Sequence, residues 1–202
     1  IKTFVNFEVD PLAGITGVLS KIGDQEQVWI QVIVRPLSDT WQNKGISYVA
    51  AVRSGNLSQG SFFRLLIRGL IDVFRAPPAA EAAPKAASPA KLPAPQELAL
   101  KGIEEKATKL GYSAKIRLVA LARDQVTAQA KINAMTGAYK QFNTTNMNGF
   151  AAGSLSLEAS SVEAYRMRAV RDEGMIFNIE ELASLFHFPN ASVETPNIVW
   201  AG

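Results

Sequence analysis

Between Ala76 and Pro95 the chain packs nine alanines and six prolines into 20 residues. Repeated proline has no N–H to donate and blocks a continuous helix, and alanine offers little surface to bury. This segment is therefore expected to be a disordered, partly extended tether. It divides the 202 residues into a first part, 1–75, and a second part, 96–202. With 48% apolar residues there is enough material for a core around the tether. Net charge separates the parts little: 1–75 carries eight basic and six acidic residues, 96–202 eleven of each.

The first part alternates strand and helix signals. Ile1, Thr3, Val5, Phe7 and Val9 recur with a period of two and predict a strand. Asp10-Pro11 reads as an N-cap with proline at the first helical position, and Leu12, Ile15, Leu19 and Ile22 follow at helical spacing up to Gly23. Gln27 to Arg35 is β-branched and aromatic, hence a strand, stopped by Pro36. A helix between two strands predicts one βαβ unit. Asp39 to Arg53 is expected to be helical, with Trp41, Tyr48 and Val52 toward the core.

Ser61 to Arg75 is unlike its surroundings. Leu66, Leu70 and seven further apolar residues leave only a narrow stripe for Arg64, Arg68, Asp72 and Arg75. As a helix it spans roughly 22 Å, short of the ~30 Å hydrocarbon core of a membrane. Two uses remain open. It packs into a core or against a neighbouring subunit, or it lies on an anionic membrane surface with Arg64, Arg68 and Arg75 at the lipid phosphates.

The second part reads helix, strand, helix, strand, helix, helix. Gln96 to Leu110 places Leu98, Ile103, Ala107 and Leu110 on one side and ends at Gly111. Ser113 to Arg123 is a strand, Asp124 caps a helix running to about Phe142, and Leu155 and Leu157 fit another strand. Ser160 to Glu163 matches a capping box ahead of Tyr165 to Arg171. Met175 to Phe177 is extended, and Asn178 to Glu181 is a second capping box opening a helix from Ile179 to Phe186. The expected class is α+β, a mainly antiparallel sheet with helices on one face, for which a ferredoxin-like arrangement is one form.

Chemistry is largely excluded by what the chain lacks. It contains no cysteine and a single histidine, His187. That removes disulfides, thiolate metal sites, a cysteine nucleophile and any multi-histidine site. There is no Gly-x-x-x-x-Gly-Lys-[Ser/Thr] phosphate loop and no Gly-x-Ser-x-Gly elbow. The adjacent carboxylates Glu104-Glu105, Asp172-Glu173 and Glu180-Glu181 diverge on a helix and read as solvated or first-turn residues. His187, between Phe186 and Phe188, reads as a structural residue at a helix C-terminus. The polar run Gln141 to Asn148 reads as turn chemistry. Lys101, Lys109, Lys115 and Arg117 are candidate nucleic-acid contacts, diluted by Glu97, Glu104 and Glu105. A net charge of +3 adds no weight to that reading. Ile1 in place of an initiator Met suggests a piece of a longer protein.

Several stretches carry a resemblance. They are Phe7 to Lys21, Glu26 to Gln31, Gly137 to Asn143, and above all Phe177-Asn178-Ile179-Glu180-Glu181-Leu182-Ala183-Ser184-Leu185-Phe186-His187-Phe188-Pro189, continued by Val193 to Ile198. Together they resemble the region ahead of the motor in bacterial coupling-protein-like ATPases of conjugative type IV secretion. The resemblance implies a non-catalytic N-terminal accessory domain of a hexameric, membrane-associated, P-loop DNA-transfer ATPase. ATP and magnesium would belong to the motor, so no cofactor residue carries over to this chain. The implied partners are its own ATPase domain, further copies of itself, other secretion-system subunits, the cytoplasmic side of the inner membrane, and DNA. His187 and Pro189 would be structural parts of the junction toward the motor. The alternative is a stand-alone membrane-surface adaptor or protein–protein interaction module using 61–75.

Overall fold

The computed structural model describes residues 1–4, 10–55, 92–145, 147–170, 174–191 and 193. The chain runs through α1 (Leu12–Leu19), β1 (Gln27–Pro36), α2 (Thr40–Arg53), α3 (Ala94–Ala107), β2 (Gly111–Leu121) and α4 (Gln125–Tyr139). A 3₁₀ turn at Lys140–Phe142, then α5 (Ala159–Arg166), β3 (Met175–Asn178) and α6 (Ile179–Leu185) complete it. The class is α+β. The sheet is three-stranded and antiparallel, in the order β1-β2-β3.

β1 comes from before the tether and β2 from after it. They pair along their length from Gln27 opposite Leu121 to Pro36 opposite Tyr112. The two parts therefore share one sheet. Among the described residues β1 has β2 as its strand neighbour, antiparallel and beyond the tether; the first strand of the expected βαβ unit falls largely on residues outside the described set. Residues 1–4 are not a strand: Lys2 N donates to Phe142 O and Phe4 N to Ser184 Oγ. Their alternation is real, but their neighbours are a 3₁₀ turn and a helix rather than a sheet edge. Residues 5–9 lie outside the described set.

Period-two alternation assigns the sheet faces. Val28 and Ile30 of β1 and Ala114, Ile116 and Leu118 of β2 join Leu12 and Ile15 of α1 and Met135 and Tyr139 of α4 in the main core. Phe142, wholly buried, meets Phe4 and Phe150 edge-on with centroids 5.8 and 6.2 Å apart. Trp29, Gln31 and Arg117 occupy the other face, where α5 lies. Trp29 stacks on Tyr165 at 5.9 Å, and Arg117 donates to Gln31 Oε1 and to the carbonyls of Ala164 and Ala169.

A smaller cluster, Val49, Val52 and Leu100, joins α2 to α3. Leu92 packs against it and Ala94 opens α3. α3 thus begins at Ala94, inside the segment read as tether, because proline is compatible with a first helical turn. The rest of the tether, and Ser61 to Arg75 with Arg64, Leu66, Arg68, Leu70 and Arg75, lie outside the described residues.

Four local expectations fail. Leu98 and Leu110 are 51% and 64% exposed, whereas Ala99, Leu100 and Ala107 face the core. Gly111 begins β2 instead of capping α3, and the indole of Trp41 lies where its side chain would be: an added Cβ would sit 2.2 Å from Trp41 Cε2. Leu155 and Leu157 lie in irregular chain and are exposed. The Ser160 capping box is also absent, because α5 starts two residues earlier than that box requires, with Glu158 at the N-cap and no side-chain cap.

Candidate functional site, a polar junction around residues 177–190

Asn178 ends β3 and caps α6. Its Oδ1 accepts from Glu181 N, and Glu181 Oε2 accepts from Asn178 N, both at 2.8 Å. This is the capping box read from the sequence. The box turns the Glu181 carboxylate back into the protein, where the residue is only 4% exposed. There Oε2 lies 2.9 Å from Lys106 Nζ of α3, and Oε1 accepts from Ile1 N at 2.8 Å. Lys106 also donates to Ile176 O and stands over the Phe177 ring. Burial raises the Glu181 pKa. The charge of Lys106, then the Ile1 nitrogen, with the hydrogen bonds from both, outweigh it and hold the carboxyl below its ordinary value of 4.5.

Asp10 forms the second anchor. Its side chain is 1% exposed. Oδ1 accepts from Leu12 N at 2.7 Å and lies 3.0 Å from His187 Nε2, while Oδ2 accepts from Asn190 N at 2.6 Å. Burial again pushes upward. The N–H donors of Asn190 and Leu12, followed by His187, bring the pKa below its ordinary value of 3.8. The other ring nitrogen, His187 Nδ1, lies 2.9 Å from Ala183 O. Asp10 thereby ties the start of α1 to the chain leaving α6.

Phe186 departs from α6 in extended conformation, φ −146° and ψ 111°. Successive side chains then alternate. His187 turns inward to Asp10, and the phenyl rings on either side turn outward, with Phe186 70% and Phe188 96% exposed.

The candidate cations do not gather into one patch. Lys109 pairs with Glu180 and, at 3.3 Å, with Glu105. Arg117 is committed to α5. Lys115 shares its sheet face, opposite Ile33, and Lys101 is exposed on α3. The acidic pair Glu180-Glu181 divides its duties: both are first-turn residues, one of the two readings the sequence allowed, but Glu180 stays half out of the protein while Glu181 is also a buried anchor. The capping box itself carried that signal. Asp10 was legible as a helix-start residue and does serve Leu12, but His187 lies 177 residues away.

Among the described residues no helix is long and apolar enough to cross a membrane, and no three His, Asp or Glu gather as metal ligands. The fold and the junction define an α+β domain, with one antiparallel sheet bridging its two sequence parts and a polar anchor beneath its C-terminal segment. The chain belongs to the family described as Domain of unknown function (DUF8128), whose profile matches residues 1–201. No curated protein and no solved structure matches it.

Proposed function

We propose that this chain is a non-catalytic accessory and assembly domain ahead of the motor of a conjugative DNA-transfer ATPase, working at the cytoplasmic face of the bacterial inner membrane. The stretch with the most specific resemblance, Phe177 to Pro189, leads into the motor in that family. The observation that carries the reading is how this stretch is held. Glu181 and His187 are anchored inward, and Phe186 and Phe188 are presented outward. A rigidly held segment with two exposed phenyl rings suits docking of a following domain. ATP and magnesium would bind that domain, since a phosphate loop must supply backbone amides and a lysine that this sequence lacks.

The test has two stages. The encoding reading frame should continue past Gly202 into a Walker motif within a few hundred codons; an in-frame stop removes the proposal. In the full-length protein, Phe186→Ser with Phe188→Ser should lower DNA-stimulated ATP turnover without shifting the melting of this domain. Unchanged turnover would refute docking through these rings.

The stand-alone membrane adaptor remains the second reading, favoured by the wide apolar face and basic stripe of Ser61 to Arg75. Each arginine near an anionic surface would contribute about 1 kcal/mol. Salt-sensitive liposome flotation, lost on changing Arg64, Arg68 and Arg75 to Glu, supports it. No flotation, with oligomers that Leu66→Asp disperses, assigns the segment to a subunit contact.

A further inference from the structure

Among the described residues β1 is an edge of the sheet, and no strand among them pairs with the outer side of 28–34. Edges meant to stay alone are usually guarded by a charge, a proline, a bulge or shortness. β1 has ten residues, and its register against β2 never slips. Residues 28–34 read Val-Trp-Ile-Gln-Val-Ile-Val, with neither charge nor proline, and Trp29 and Val34 remain 43% and 38% exposed.

We propose that this edge pairs antiparallel with the same edge of a second copy, about a two-fold axis at Gln31. This goes beyond the functional reading above and does not depend on it. Pairing about Gln31 sets Val28 against Val34, Ile30 against Val32 and Trp29 against Ile33 of the second copy. Like faces meet, so both sheet faces continue across the axis into one six-stranded sheet. The aromatic and β-branched pairs are of the kind that stabilise neighbouring strands. Arg35, the one charge in the strand, falls opposite Gln27 of the second copy. A parallel pairing would set Arg35 against Arg35, which is unfavourable. The two nearest antiparallel registers that keep the faces matched set Glu26 against Val34, or Pro36 against Val28. The Gln31 register is thus the one in which the apolar run meets only itself and Gln31. Such a contact is isologous and closes at two copies.

The native chain has no cysteine, so single-cysteine variants report on the axis directly. The 202-residue chain should sediment as a dimer that dissociates on dilution. Gln31→Cys should cross-link under mild oxidation. Arg35→Cys should not, because its counterpart lies eight residue steps away, roughly 27 Å. Ile33→Lys, checked for native circular dichroism, should raise the dissociation constant roughly tenfold by removing two Trp29–Ile33 contacts. Amides facing outward from 28–34 should exchange slowly only at concentrations where the dimer forms. A monomer with fast exchange at these amides overturns the proposal. So does a monomer with slow exchange, which would mean that residues 5–9 or 56–91 of the same chain cover the edge. A dimer that Arg35→Cys traps as readily as Gln31→Cys overturns it as well.

Discussion

Replacing Glu181 by Gln preserves shape and keeps an acceptor for Asn178 N, but it removes the charge opposite Lys106. Lys106 then stays largely buried, its side chain 15% exposed, with only Ile176 O and the Phe177 ring to face it. Breaking a buried ion pair from one side costs about 3–5 kcal/mol, most of it the penalty on the charge left behind. The lower end applies here, because Lys106 keeps a carbonyl acceptor. About 3 kcal/mol corresponds to a fall in melting temperature of roughly 6–12 °C for a domain of this size. Urea unfolding should give the same loss with an unchanged m-value. The double variant Glu181→Gln with Lys106→Met should recover much of it, since the Lys106 charge is then no longer buried opposite a neutral amide. The pH profile has a definite sign. The folded-state pKa of Glu181 is lowered, so its contribution is fully present above the ordinary value of 4.5 and is lost as pH falls through the lowered folded value. Acid unfolding of the Glu181→Gln variant should therefore be shallower than that of the native chain. A loss below about 0.5 kcal/mol, the level of ordinary surface changes, or additive behaviour in the double variant, would refute the argument.

Asp10→Asn should cost about 1.5–3 kcal/mol, because an amide cannot accept at both positions and one of the donors among Leu12, His187 and Asn190 is left unmatched; amide exchange at 187–190 should rise more than in α4. Tyr139 is pushed up to about 12 by burial from an ordinary value of 10.0, so its contribution is full below pH 10 and is lost as pH climbs toward 12; Tyr139→Phe should flatten that alkaline decline in a stability–pH titration. Arg168 sits at φ 51°, the left-handed position of a Schellman ending to α5, with Ala169 N donating to Ala164 O; Arg168→Gly should raise stability by between about 0.5 and 1 kcal/mol in urea melts. Gly111→Ala should fold poorly or lose more than about 2 kcal/mol, because the Trp41 indole and the β2 backbone cannot both stay in place.

What the sequence made legible was what neighbouring residues decide between themselves. Gln27 to Arg35 forms β1 because its β-branched run suits a pleated surface whichever partner it finds. Asp124 caps α4 because its carboxylate meets Thr127 N three residues on. Where expectation failed, the deciding residue was distant. Leu155 and Leu157 alternate as a strand would, but among the described residues they pair with no strand of the sheet. Leu98 stands five and nine residues before Ile103 and Ala107, about 140° and 180° round a helix, so it faces away from α2, which approaches from the side of Leu100. Gly111 looked like a helix cap, and only Trp41, seventy residues earlier, explains why nothing larger fits there.

The junction followed the same division, and the division bears on what it is for. Its local half, the Asn178–Glu181 box, was readable; its remote half, Lys106 and Asp10, was not. Apolar burial is non-directional and would hold α6 against the sheet in several neighbouring positions. A carboxylate accepting from two backbone N–H groups and facing an imidazole does not tolerate such slippage, because each donor demands its own distance and angle. Asp10 and Glu181 together fix the segment at 178, 181, 187 and 190, and they fix it to both sequence parts, since Asp10 precedes the tether and Lys106 follows it. A segment held this way cannot shift unless the two parts that share the sheet shift with it. Force applied through Phe186 and Phe188 would therefore reach the whole domain through hydrogen bonds and ion pairs, and not through a greasy contact free to creep.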